Sequence, residues 1–87
     1  MAVIVYTKPH CLECNVLKRF LDDYRITYKE RDCSLNSAYM DEIKEMGFLD
    51  VPVTVVDDTA IQGLQPDRIL AVLERQEKDG DKNSNSD

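Results

Sequence analysis

Two cysteines separated by two residues, Cys11-Leu12-Glu13-Cys14, are the side chains of this sequence whose type and spacing suit covalent chemistry. They sit where an apolar run, Ala2 to Tyr6, stops and a helix-patterned segment begins. At this spacing both sulfurs fall within the first turn of a helix, close enough to bond to each other. The first sulfur lies at the helix N-terminus, where unpaired backbone N–H groups and the positive end of the dipole favour a thiolate over a thiol. A thiolate is the nucleophile of disulfide exchange, and a second thiol beside it resolves the mixed disulfide. The neighbours bear on that nucleophile in opposite senses. His10, if protonated, lowers the Cys11 pKa and makes the disulfide more oxidising; Glu13, a negative charge in the same turn, raises it. Lys8 could stabilise the thiolate or meet an acidic substrate, and each of these charged residues also reads as ordinary solvated surface. The same spacing occurs in zinc sites, and His10, Cys11, Cys14 and Cys33 make up a Cys₃His ligand count. Against that reading, Cys33 lies at the far end of another segment, and the second half of the chain offers no ligand pair.

The elements that must position the pair follow from pattern. Val3-Ile4-Val5-Tyr6 is a continuous β-branched and aromatic run, which predicts a strand buried on both faces and therefore central in its sheet. Pro9 blocks its continuation. From Leu12 to Tyr24 the period becomes helical: Leu17, Phe20, Leu21 and Tyr24 share one face, while Lys18, Arg19, Asp22 and Asp23 take the other. Cys14, three residues before Leu17, belongs to the buried face and Cys11 to the cap, so helix phase alone assigns an exposed and a buried sulfur.

Ile26 to Asp32 predicts a second strand whose charged end, Lys29-Glu30-Arg31, suits a sheet edge. Asn36 or Ser34 can cap a helix over Ser37 to Met46, with Met40, Ile43 and Met46 as its core stripe and Gly47 as its stop. Val53 to Val56 and Thr59 to Gln62 read as a hairpin turned at Asp57-Asp58. Pro66 opens a last helix to about Glu77, with Ile69, Leu70, Val72 and Leu73 inside; Asp67 either caps it or meets substrate. From Lys78 to Asp87 no apolar residue occurs, which predicts a disordered polar tail after a domain spanning 1–77. The order is βαβαββα: an α/β fold with a four-stranded mixed sheet, strand order second–first–third–fourth, flanked by three helices.

The totals bound the class. The chain has 87 residues, one domain's length, and a net charge of −6, which argues against nucleic-acid binding. It contains no run near the ~20 apolar residues of a membrane span, and no secretion signal is read at Met1, so a cytoplasmic location is expected. Three cysteines, an odd count, argue against a disulfide scaffold and leave a reactive pair plus one spare. The spare, Cys33, reads as a small hydrophobe or as a regulatory or dimerising thiol.

The combination resembles a small thioredoxin-fold protein of glutaredoxin size. The residues that carry the resemblance are Tyr6-Thr7-Lys8-Pro9, the Cys11/Cys14 pair, Val51-Pro52 before a strand, and Gly63 before the last helix. Within that superfamily it is most similar to the NrdH-redoxins, through Tyr-Thr-Lys-Pro, the inter-cysteine Leu12-Glu13, and Gly63-Leu64-Gln65-Pro66-Asp67. It departs from them at Ile61-Gln62 and Leu64-Gln65, where the family has Trp-Ser and Phe-Arg.

The resemblance implies a dithiol–disulfide oxidoreductase with Cys11 as nucleophile and Cys14 as resolving thiol. It implies a substrate-binding rim of Lys8, His10, Leu12, Glu13, Val51, Pro52, Gly63 and Asp67, in which Pro52 is a cis-proline that lets the Val51 backbone pair with an extended substrate. No bound cofactor or metal is implied. Electrons come from NADPH through thioredoxin reductase and pass to a protein disulfide such as that of ribonucleotide reductase, and the carrier works as a monomer. The alternative is a glutathione-dependent dithiol glutaredoxin. Leu49-Asp50 stands where those proteins place Arg-Thr, so glutathione binding is expected to be weak or absent.

Overall fold

Val3–Thr7 forms β1, and its alternate residues serve two different cores. The computed structural model describes residues 2–85, with side chains described as far as Arg75. The remaining elements are α1 (Leu12–Asp23), β2 (Lys29–Asp32), α2 (Ser37–Glu45), β3 (Val53–Val56), β4 (Thr59–Gln62) and α3 (Pro66–Asn85). The sheet order is β2-β1-β3-β4, with β1 parallel to β2 and antiparallel to β3, and β3 antiparallel to β4. This is the four-stranded mixed sheet with three helices that the pattern predicts.

On one face Val3, Val5, Val56 and Ile61 pack against Leu17 and Leu21 of α1 and Ile69 and Val72 of α3. On the other, Tyr6 and Val53 meet Ile43 of α2, together with Val51 and Cys14. Burial of each such aliphatic side chain contributes about 1.5–3 kcal/mol, so the two clusters clamp β1 from both sides. The end of β1 is thereby held where it delivers the chain to the cysteines.

Turn chemistry closes the elements. α2 is capped by Asn36, whose Oδ1 accepts from the Ala38 N–H at 3.0 Å. It ends in a Schellman pair, Gly47 N–H to Lys44 O at 2.9 Å and Phe48 N–H to Ile43 O at 3.0 Å, with Gly47 at φ 94°. α1 ends the same way without a glycine: Arg25 takes φ 57°, its N–H reaching Asp22 O at 3.0 Å while Ile26 N–H reaches Leu21 O at 2.9 Å. The Asp57-Asp58 turn is made with Asp57 at φ 54°, and its Oδ1 accepts from the Ala2 N–H at 2.8 Å.

Three boundaries differ from the pattern. β2 starts at Lys29, because Ile26 and Tyr28 pack on the α1/α3 core as part of the connection rather than pairing with β1. Met46 is not core: the Schellman turn carries it outward, and it is 36% exposed. The backbone of α3 continues to Asn85, past the expected end near Glu77. The expected tail, 78–87, falls among residues whose side chains lie outside the description, and Ser86 and Asp87 lie outside it altogether.

Candidate functional site

Cys11 is the N-cap of α1. Its φ of −113° and ψ of 106° are extended, and its Sγ accepts from the Cys14 N–H at 3.2 Å. A sulfur here replaces the Ser, Asp or Asn oxygen that usually satisfies one of the four orphan donors of a helix start. The N–H that caps the helix therefore also stabilises negative charge on the sulfur. Cys11 is half-buried, whereas Cys14 is completely buried in the α2-side cluster. The two are disulfide-bonded. Cys14 is buried as helix phase assigned, and Cys11 is the more open of the two although half-buried rather than exposed.

The residue before the cap, His10, is exposed and takes φ 57°. For a residue with a Cβ this left-handed conformation costs about 1–2 kcal/mol, and it turns the chain from β1 into α1 within the length of the loop. Lys8, Leu12 and Glu13 are exposed beside it, Leu12 to 77%.

Across from the cap, the Val51-Pro52 peptide bond is cis. Val51 belongs to the same buried cluster as Cys14, and Cys11 packs against that cluster, so both cysteines and the residue before the proline share one apolar floor. The Pro52 carbonyl accepts from the Gly63 N–H at 2.8 Å. Gly63 sits at φ 91°, with no atom within 4 Å of where a Cβ would stand. Glycine is required there for its backbone conformation, not for space. Asp67 lies in the first turn of α3, exposed; the helix begins at Pro66, so Asp67 stands within the helix rather than at its cap. Gln65 Nε2 donates to Gln62 O at 2.6 Å.

Three polar arrangements around the site are not visible in sequence pattern. The Thr7 hydroxyl, buried at the end of β1, donates to Glu30 Oε2 at 2.7 Å, and Lys18 Nζ of α1 approaches the same oxygen at 3.0 Å. The Tyr6 hydroxyl donates to Glu42 Oε1 at 2.7 Å, and Arg31 Nη1 donates both to that hydroxyl at 2.9 Å and to Glu42 Oε1 at 2.8 Å. This triad ties β1, β2 and α2 together; burial and the Glu42 acceptor push the Tyr6 phenol up, with Arg31 opposing.

The third arrangement involves Asp50. Its Oδ1 accepts from the Val51 N–H at 2.8 Å and from Lys8 Nζ at 3.2 Å. These two contacts, the backbone bond foremost, hold the carboxyl below its usual range. The sequence marks Asp50 by its place before Val51-Pro52, but its pairing with Lys8 and the Val51 N–H is seen only in the fold.

Cys33 is half-buried at the margin of the cluster, with its N–H on Thr7 O at 2.9 Å. Burial, then the Asp32, Glu42 and Asp50 carboxylates, push its thiol up. Among the described residues no group of three or more His, Cys, Asp and Glu side chains is placed to hold a metal ion, and no helix is long and apolar enough to cross a membrane.

The sequence profile of the glutaredoxin family matches residues 3–61. The glutaredoxin-like protein NrdH of Lactococcus lactis is 31% identical over 67 residues, covering 77% of this chain and 93% of its own. Among solved structures, the NrdH-redoxin of Escherichia coli superposes with a TM-score of 0.77 at 22% identity, over 82% of this chain and 93% of that one. A glutaredoxin from Archaeoglobus fulgidus superposes at 0.70 with 20% identity, over 84% and 87%. At these identities the two structures speak for the fold.

Proposed function

Since the chain belongs to the glutaredoxin family of thiol–disulfide oxidoreductases, we propose that it is an NrdH-redoxin-type dithiol carrier, reduced by thioredoxin reductase with electrons from NADPH and reducing protein disulfides such as that of a ribonucleotide reductase. The observation that carries the dithiol mechanism is the placement of Cys11 Sγ as helix cap on the Cys14 N–H, half-open to solvent, with Cys14 sealed beneath it.

In the reduced protein the Cys11 thiolate attacks one sulfur of a substrate disulfide. The other substrate sulfur leaves as a thiolate and takes up a proton, and a Cys11–substrate mixed disulfide remains. Cys14 then gives up its proton, its sulfur attacks Cys11 Sγ, and the second substrate thiol departs. Two electrons have moved to the substrate and Cys11–Cys14 is oxidised. The pair then needs an external two-electron donor, which is the place of the reductase.

Val51 and Pro52 serve as the backbone rim against which an extended substrate segment lies. Lys8, His10, Leu12, Glu13, Gly63 and Asp67 form the remainder of the partner-contacting surface. The Asp50 carboxylate beside Lys8 supports weak or absent glutathione binding, because a negative charge there repels the carboxylates of the tripeptide. We place the redox unit in residues 1–77, active as a cytoplasmic monomer without a bound cofactor.

One comparison tests the partner assignment: the same disulfide substrate is reduced either with NADPH and thioredoxin reductase or with glutathione, glutathione reductase and NADPH. The first system is expected to turn over faster, and preferential turnover with glutathione would reassign the chain to the glutathione-dependent glutaredoxins. Cys11→Ser is expected to abolish turnover and Cys14→Ser to accumulate the mixed disulfide. Full activity of Cys14→Ser on protein disulfides would refute the dithiol route.

A further inference from the structure

The N–H that an extended substrate must use at the residue before the cis-proline is already engaged. Val51 N–H donates to Asp50 Oδ1 at 2.8 Å, and the same oxygen faces Lys8 Nζ at 3.2 Å. The Asp50 side chain is 58% exposed and that of Lys8 46%, so both stand at the mouth of the site, while Val51 behind them is buried. A surface ion pair of this openness is worth little and exchanges readily. Asp50 Oδ2 takes no hydrogen bond among the described residues and remains available to a donor from outside. The chain as a whole carries a net charge of −6, so the field around this carboxylate favours cations.

We propose, resting on the reading of Val51 as the substrate-pairing backbone, that Asp50 is a specificity-determining residue that selects disulfide substrates with a basic residue beside the reacting cysteine. A substrate strand that brings a Lys or Arg to Asp50 draws the carboxylate away from Val51 N–H, takes the place of Lys8, and frees that N–H to pair with the substrate carbonyl. A substrate that brings a carboxylate meets Asp50 in its closed position, must compete with it for the N–H, and gains only what Lys8 returns. Asp50 touches neither sulfur in this scheme and acts on docking alone.

The test uses three disulfide-linked peptides, identical except for Lys, Gln or Glu next to the cysteine. Reduction is followed in a single turnover with the full-length protein pre-reduced by dithiothreitol and then desalted, so no reductase enters. Exchanging one surface cation for an anion near a carboxylate predicts a Lys-over-Glu preference of about tenfold in the second-order rate constant at low salt. This preference shrinks in high salt, as screening of exposed charges requires.

In Asp50→Asn the ratio is expected to collapse to within about twofold, and in Lys8→Gln, which frees the carboxylate, to rise above that of the unaltered protein. Retention of the full ratio in Asp50→Asn would overturn the inference. Reduction of the Gln peptide without any Lys-over-Glu preference would overturn it alone, leaving the dithiol mechanism standing. Failure to reduce any of the three peptides would overturn both.

Discussion

At the scale of single residues, the chemistry is concentrated in one sulfur that doubles as a helix cap. Cys11 Sγ receives the Cys14 N–H, while Glu13 brings a negative charge into the same turn. Removing that charge while keeping the shape, Glu13→Gln, should enlarge the thiolate fraction of Cys11 in the reduced protein. Iodoacetamide alkylation of Cys11 near neutral pH is expected to accelerate severalfold, and an unchanged rate would show that Glu13 does not sense the sulfur. Cys33 stands at the opposite extreme. Burial pushes its thiol up, and three carboxylates add to the effect, so it stays protonated at neutral pH. Mass-spectrometric footprinting should therefore label Cys11 at least about ten times faster than Cys33. Equal labelling would return Cys33 to the list of regulatory thiols.

At the scale of elements, each piece of the site rides on a different segment. The end of β1 brings Thr7 and Lys8, α1 brings the cysteines, the loop before β3 brings Val51 and Pro52, and the turn after β4 brings Gly63. The Gly63 N–H to Pro52 O bond joins the last two. Gly63→Ala meets no atom but must adopt φ 91°, so it should cost about 1–2 kcal/mol of unfolding free energy, read as a lowered urea midpoint. No loss would mean that the turn adapts. Within β3, Thr54 is fully buried on the α1/α3 face and its Oγ1 has no hydrogen-bond partner among the described residues. Replacing an unsatisfied buried hydroxyl by a methyl in Thr54→Val should leave stability unchanged or raise it by about 1 kcal/mol. A loss of stability in the same measurement would show that the hydroxyl does find a partner.

At the scale of the whole molecule, two sets of titrating groups bound the stable range. Hydrogen bonds from Ser34 hold Asp32 below the carboxyl value of 3.8, and the Val51 N–H and Lys8 do the same for Asp50. A depressed folded-state pKa contributes stability that is complete above the unfolded value and is lost as pH falls through the folded one. Melting temperature should therefore decline below about pH 4, and less steeply in Asp32→Asn. Tyr6 and Tyr28 are raised above 10.0, both chiefly by burial. Their contribution is complete below that value and is lost as pH rises through the folded pKa. The alkaline decline should start near pH 10 and be shallower in Tyr6→Phe. Slopes identical to those of the unaltered protein would remove these groups from the account. A chain ending at Glu77 is expected to keep its fold and its disulfide-reductase rate, because the polar stretch from Lys78 onward has no apolar residue to bury.

Much of this architecture was legible along the chain. A continuous β-branched run located β1, the helical period located α1 and α2, two short runs about Asp57-Asp58 located the hairpin, and helix phase alone separated the more open from the buried cysteine. These are local properties, set by which faces of a strand or helix are apolar. The boundary of β2 slipped for a local reason that pattern underweights. Ile26 and Tyr28 read as a strand because they are β-formers with a core to fill.

What only the tertiary structure decided is who meets whom across the fold. Lys8 and Asp50 are 42 residues apart, Tyr6 and Glu42 36, Thr7 and Glu30 23. No periodicity relates such positions; the parallel β1–β2 crossover and the packing of α2 across β1 create their proximity. The sequence by itself pointed to the reaction, through two sulfurs in one helical turn together with the family resemblance carried by the residues around them. The tertiary structure decided what surrounds it, including the carboxylate that holds the Val51 N–H and Lys8 together, because such neighbours exist only once the sheet is assembled.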